Sequence, residues 1–307
     1  MSYKRRDFLK TTSAAIAITA VTGKLLGCKS SSMLGSSETT LKEFGLQLYT
    51  LRDVMPADPK GVLKQVAAMG YKQIESYNHK ELGIFWGMSN IEFKKYLDQI
   101  GLTIVSSHYK PDNNFEKIAA EAAQIGIEYL IYPYEGTPFN KNAPEYATMP
   151  KTIDDFKKLA TDFNRYGETC RKNGLRFAYH NHDYTFSFLE DQIPQDILIT
   201  NTDKVLVDYE MDVYWVVTAG QDPVTWLRKY PNRFRLGHIK DRKKNTPISE
   251  REVSVNVGEG SIDFKKVLNV AKNNGMKYFI VEQEKYEGTT PLAAAKADAE
   301  YIKKLKF

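Results

Sequence analysis

A repeated rhythm constrains the fold of this chain more than any other feature. Eight short apolar runs, at 44–49, 71–76, 102–108, 129–132, 175–180, 205–212, 234–239 and 278–282, are mostly separated by segments of helical period. Val62, Leu63, Val66 and Met69 recur at helical spacing and Gly70 closes their segment. The same reasoning predicts helices over 90–100, 115–125, 153–172, 223–229, 264–273 and 291–305. The link between the fifth and sixth runs is weakly patterned. Residues 135–151, with three prolines and two asparagines, read as a long loop of the kind that often carries function. Strand–helix alternation of this length calls for a parallel sheet. A single closed (β/α)8 barrel is the expected α/β architecture, with an open doubly wound sheet as the alternative. No Gly-x-Gly-x-x-Gly follows the first run, which counts against a dinucleotide-binding sheet.

The N-terminus does not share this rhythm. Lys4-Arg5-Arg6-Asp7-Phe8-Leu9-Lys10 precedes a weakly apolar run, 11–23, and then Leu25-Leu26-Gly27-Cys28. A basic segment, a short apolar segment and a small residue in that order are the parts of an export signal, too short to span a bilayer. The paired arginines resemble the twin-arginine class, whose cargo crosses the membrane folded. Leu-Leu-Gly-Cys resembles a lipoprotein box. Residues 1–27 are therefore expected to be a signal peptide and Cys28 the lipidated first residue of the mature chain. Residues 28–40, rich in Ser and Thr, form a flexible tether, and 41–307 the barrel. The expected location is periplasmic, with contact to the membrane only through that anchor.

Charge and cysteine content narrow the partners. The formal charge is +5, but residues 1–27 hold five of the basic residues and one acidic residue, which leaves 38 basic against 37 acidic. A net charge of +1 argues against a nucleic-acid surface. Beyond Cys28 only Cys170 remains, so no disulfide can form within the mature chain.

In a parallel barrel the chemistry lies at the C-terminal ends of the strands. Those ends carry His180 and His182, Glu210 and Asp212, His238, Lys240 and Asp241, and Glu282 and Glu284. Residues two apart on a strand share a face. Of five histidines, four (His108, His180, His182 and His238) fall at strand ends, where packing alone does not explain them. One ligand from each of four neighbouring strands, His180, Asp212, His238 and Glu282, would make a nitrogen–oxygen cage for a divalent cation. Such a cage suits Mn²⁺, Zn²⁺, Co²⁺ or Fe²⁺ better than Mg²⁺.

Several segments together resemble the xylose isomerase-like TIM barrels, which include sugar isomerases and epimerases. They are Gly45–Arg52, His180-Asn-His182, Met211–Trp215 with Ala219–Pro223, His238-Ile-Lys-Asp241, Gly258-Glu-Gly260 with Ile262-Asp263, and Ile280–Glu284. The resemblance implies a cation held by Glu, Asp, His and Glu from four strands. Asp212, His238 and Glu282 match the last three, and His180 stands where the first Glu is usual. In ketose 3-epimerases of the family the two glutamates are also the acid/base pair, so His180 departs from that mechanism. It also lowers the charge of the cage from −3 to −2.

The expected chemistry is proton abstraction next to a carbonyl. Glu282, His182, His108 and Lys240 are the acid/base candidates. Glu75, Tyr49, Trp215, Asp241, Glu284 and Trp86 are candidates for holding substrate, with Glu75 also able to pair with Lys240 and Asp241 able to support a ligand. An exported protein without a phosphate-binding loop points to a small unphosphorylated sugar or keto-sugar. The reading is an isomerase or epimerase, with a 3-keto-glycoside lyase or hydrolase and a non-catalytic sugar-binding lipoprotein as alternatives. The family's AP endonucleases fit poorly with a net charge of +1.

Overall fold

The computed structural model describes residues 40–133 and 150–307. The signal segment, Cys28, nearly all of the tether and most of the 135–151 loop lie outside the described residues. Eight strands, β1 (Gly45–Gln47), β2 (Gln73–Tyr77), β3 (Thr103–His108), β4 (Tyr129–Pro133), β5 (Arg176–His180), β6 (Val207–Asp212), β7 (Phe234–Ile239) and β8 (Tyr278–Val281), pair in parallel and close into a barrel in chain order. A two-stranded ribbon, Asp241–Arg242 against Ser254–Val255, sits just beyond β7. No helix among the described residues is long and apolar enough to cross a membrane.

The connecting helices are α1 (Pro59–Met69), α2 (Asn90–Ile100), α3 (Phe115–Gln124), α4 (Ile153–Lys172), α5 (Pro194–Thr200), α6 (Val213–Thr218), α7 (Pro223–Lys229), α8 (Phe264–Asn273) and α9 (Pro291–Lys304). Local chemistry sets their limits. Ser89 and Glu92 form a capping box on α2, and Thr152 and Asp155 do so on α4, satisfying amide groups that the first turn leaves open. Gly70 and Gly101 end α1 and α2 in the left-handed region. The first apolar run is strand only to Gln47; Leu48–Leu51 turn as a 3-10 helix. The weakly patterned link after β5 contains a 3-10 turn, Asp183–Phe186, and α5.

Two hydrophobic layers result. A large one lies between sheet and helices, and a small one fills the lower lumen with Val105, Tyr129, Ile131, Ala178, Leu236, Tyr278 and Ile280. Two bulges separate this floor from the polar mouth. Ile74 pairs with Ile104 but Glu75 with Ser106, so Val105 is an extra residue in β3. Tyr209 pairs with Phe234 but Glu210 with Leu236, so Arg235 is an extra residue in β7. Each bulge resets which residues face the lumen. Val105 and, three residues on, His108 both point inward because of it.

One buried acid lies away from the mouth. Asp298 in α9 is fully buried and accepts from the Val257 amide at 2.7 Å, while its other oxygen has no partner. Burial pushes its pKa up to about 8. The folded state therefore holds a proton that the unfolded chain has lost, and this group's contribution to stability falls as pH rises from about 4 to about 8. Asp298→Asn keeps the acceptor and removes the charge. It is expected to stabilise the protein far more at pH 9 than at pH 4, as read from urea unfolding at the two values. Equal effects at both would reject this account.

Candidate active site

The mouth opens as a pocket of about 250 Å³ lined by Tyr49, Tyr77, Asn78, His108, Lys110, Pro133, His180, His182, Glu282 and Glu284. Its floor is a set of buried ionisable side chains. Glu75 (β2), His108 (β3), His180 (β5), Glu210 and Asp212 (β6), His238 and Lys240 (β7) and Glu282 (after β8) all point inward, as the period-two alternation of each strand requires above the bulges.

His238 is the centre. Its Nε2 lies 2.7 Å from Glu75 Oε1 and 3.2 Å from Glu210 Oε2. Its Nδ1 lies 3.2 Å from Glu282 Oε2 and 3.9 Å from Asp212 Oδ2. Two ligand groups meet at this ring: His108, His180, Glu210 and His238 deeper in the barrel, and Asp212, His238 and Glu282 above it. The four expected cage residues are thus divided. His180 Nδ1 faces Glu210 Oε2 at 3.0 Å and belongs with the deeper group, because its strand register pairs it with Glu210 rather than with Asp212.

Charge compensation orders the network. Burial opposes ionisation of Glu75, but His108 and His238 hold its carboxyl well below the usual range. Burial likewise disfavours a charged His108, but Glu75 and Glu210 raise it to about 9. Burial and the nearby Glu75 push Glu210 up to about 7. Burial also raises Asp212 to about 7 against the pull of Lys240. Lys240 is 1% exposed, 3.2 Å from Glu282 and 3.7 Å from Asp212, and bonded to Glu284. Those carboxylates overcome its burial and hold it charged. Burial works against Glu282, yet Lys240 and His238 keep it ionised, well below the usual range. Burial, followed by Lys240, drives His182 down to about 3, so this ring is neutral. Its Nδ1 has no hydrogen-bond partner, and it stacks on Tyr184 with centroids 6.0 Å apart.

The remaining expected site residues fall into place or out of it. Tyr49 and Glu284 line the pocket. Trp215 lines a small side pocket with Lys240, whose ammonium lies 4.9 Å from the indole centroid. Trp86 is buried behind Tyr77, its indole N–H donating to Ser76 Oγ at 3.0 Å, so it supports the wall and does not form it. Glu75 pairs with His108 and His238 rather than Lys240, and accepts from Gln47 and Ser106.

Asp241 does not hold substrate. Alternation from His238 turns it out of the lumen, where its carboxylate accepts from the backbone amides of Arg242, Gly258, Gly260 and Ile262. A side chain on Gly260 would meet Asp241 Oδ1 at 2.2 Å, which explains that glycine. Asp241→Ala is expected to loosen residues 256–262 and to cost about 1–3 kcal/mol by leaving amides unpaired. Faster amide hydrogen exchange confined to that loop is the check.

The sequence marks Glu210 as a strand-end acid without giving it a role. The run Asp208, Glu210, Asp212 is its signal, since all three share the inner face. Residues 63–305 match the xylose isomerase-like TIM barrel family. The chain belongs to that family. Inosose dehydratase of Clostridium tetani is 32% identical over 146 residues, 43% of this chain and 48% of that protein. The chain thus spans about half the length of this relative and of the inosose dehydratase of Clostridium beijerinckii. A crystal structure of a sugar phosphate isomerase/epimerase from Parabacteroides distasonis superposes with a TM-score of 0.70 at 29% identity, covering 87% of this chain and 95% of that one. The zinc-containing IolI protein superposes with a TM-score of 0.66 at 15% identity over 84% and 95% of the two chains, a likeness of fold alone.

Proposed function

We propose that this protein is a divalent-metal-dependent enzyme that abstracts a proton next to the carbonyl of an unphosphorylated sugar or keto-sugar. The observation that carries the reading is His238, buried beneath an open pocket with carboxylates against both ring nitrogens. Asp212 Oδ2 and Glu210 Oε1, both buried without a hydrogen-bond partner, suit a cation, as does the imidazole–carboxylate donor set around them. His180, Asp212, His238 and Glu282, with His108 and Glu210, are the residues that would hold it. When bound, the cation would supply positive charge beside the substrate carbonyl and favour loss of the adjacent proton.

The chain's own groups do the rest. Glu282, ionised and at the pocket wall, takes the carbon-bound proton. Lys240 keeps that carboxylate ionised and aimed. His182, neutral with a vacant Nδ1, accepts from a substrate hydroxyl. Tyr49 and Tyr77 offer faces to the apolar side of a sugar. Lys110 is the one lysine or arginine among the described lining residues, and Glu282 and Glu284 oppose it, which favours a substrate without phosphate.

Return of the proton to carbon gives an isomer or epimer. Loss of a β-substituent instead gives elimination. This second reading, aglycone release from a 3-keto-glycoside, is favoured by the dehydratase relatives, since loss of water and loss of an aglycone differ in the leaving group. Incubation with ketoses and with a 3-keto-glucoside in D₂O tests both. Deuterium uptake by ketoses supports isomerisation, aglycone release supports elimination, and the absence of both rejects the enzyme reading.

The same proposal places the protein outside the cytoplasm on a lipid anchor at Cys28. Cys28→Ser is expected to abolish incorporation of labelled palmitate in growing cells. Undiminished labelling would reject the anchor.

A further inference from the structure

We propose that Arg251 is a positioning residue: it clamps together the two aromatic side chains that pack on His182, Tyr184 and Trp215, so that the imidazole meets substrate in one orientation. This rests on the reading that His182 holds a substrate hydroxyl.

The His182 Nδ1 has no hydrogen-bond partner among the described residues. Tyr184 stacks on the ring, and the Trp215 indole lies 5.2 Å away between centroids. The indole is in the same position, since it is 6% exposed and its N–H finds no acceptor. Neither of these nitrogens aims its ring, so the surrounding packing must.

Arg251 completes that packing. Its guanidinium donates through Nε and Nη2 to both carboxylate oxygens of Asp183 and lies 5.3 Å from the Trp215 centroid. Asp183 is buried and immediately precedes Tyr184 in the 3-10 turn after β5. One side chain therefore ties the turn that carries Tyr184 to the indole. The chain of contacts from Arg251 through Asp183, Tyr184, His182 and Trp215 closes on itself. Both the planar fork and the flat face of the guanidinium are used, a combination that lysine does not reproduce.

The backbone that bears Arg251 is itself anchored. The Tyr214 hydroxyl donates to the Arg251 carbonyl and accepts from the Val253 amide at 2.8 Å. Ser254 Oγ accepts from the Glu284 and Lys285 amides at 3.2 and 3.0 Å. Residues 247–250, just before Arg251, are exposed. The clamp thus reaches from the end of β8, across α6, to the turn after β5.

The test follows turnover of ketoses and of a 3-keto-glucoside by purified full-length protein. Arg251→Met and Asp183→Asn are each expected to raise KM roughly tenfold, the loss of about one hydrogen bond to substrate. The double variant should be no worse than either. In a His182→Phe background neither change should raise KM further. Arg251→Lys, which keeps the charge, should behave as Arg251→Met. Additive losses, the same loss without the imidazole, or wild-type behaviour of Arg251→Lys overturns the proposal.

A second readout needs no turnover. Labelling with 5-fluorotryptophan gives one fluorine resonance for each of Trp86, Trp215 and Trp226. Asp183→Asn leaves Arg251, His182, Tyr214 and Lys240 around the Trp215 indole unsubstituted, yet it should shift and broaden the Trp215 resonance alone. An unmoved Trp215 resonance overturns the proposal. Arg251→Lys, at a partly exposed position, gives the same reading should Asp183→Asn not fold. A moved Trp215 resonance in a protein that turns over no keto-sugar would uphold the clamp and reject the proposed activity.

Discussion

His238→Ala is expected to abolish cation binding, reduce turnover by about 10³-fold or more, and lower stability by about 3–5 kcal/mol. The three effects share one cause. The ring is fully buried and contacts Glu75, Glu210 and Glu282 directly. Removing it leaves three carboxylates in a dry site without a shared partner, and breaking such a cluster on one side costs far more than its net contribution. Both candidate cation groupings contain His238, so either placement of the ion is lost. Metal analysis, turnover of a keto-sugar and denaturant unfolding read the effects separately. A variant that keeps its metal and its activity would refute the central role of this ring.

Lys240→Met is expected to be nearly as damaging. Methionine fills a similar volume beneath Trp215 and Tyr214, so the change isolates the charge. Without the ammonium, Asp212, Glu282 and Glu284 repel one another, and a loss of about 3–5 kcal/mol follows at pH 8. The pH dependence has a definite sign. In the wild type the lysine helps hold Glu282 below its ordinary pKa. In the variant burial dominates and raises it, so the folded state binds extra protons and stability recovers as pH falls towards 5. Turnover should fall at least 10²-fold, because the proposed base becomes protonated and loses its orientation. A loss of stability independent of pH would point to packing and reject the electrostatic account.

The barrel was legible because its signals are local. Apolar runs of four to eight residues, helical spacing and glycine stops recur along the chain, and α4 and α2 begin and end where their caps and glycines predict. Helix α6 was not legible. Val213–Thr218 is apolar almost throughout, and the start of the helix depends on Asp212 accepting from the Tyr214 and Trp215 amides. Strand-end chemistry was legible from alternation, which brought His180, Asp212, His238 and Glu282 to the lumen. Their grouping was not, since depth in a barrel is set by the stagger between strands, and that stagger pairs His180 with Glu210. Asp241 could have been excluded by the same alternation that admits Lys240. Trp86 could not, because nothing local shows that Tyr77 stands in front of it.

The bulges at Val105 and Arg235 make the barrel a two-storey object whose storeys are independently phased. Below them, tight apolar packing dictates which residues look inward. Above them, the phase is shifted by one residue in β3 and in β7, the strands that deliver His108 and His238. Deleting either extra residue would turn a histidine towards the helices and present its neighbour to substrate, and would also remove Val105 from the apolar floor or turn Leu236 out of it. A single-residue insertion or deletion at these points is therefore a route by which one scaffold can exchange its reactive surface, with the change to its foundation confined to Val105 or Leu236.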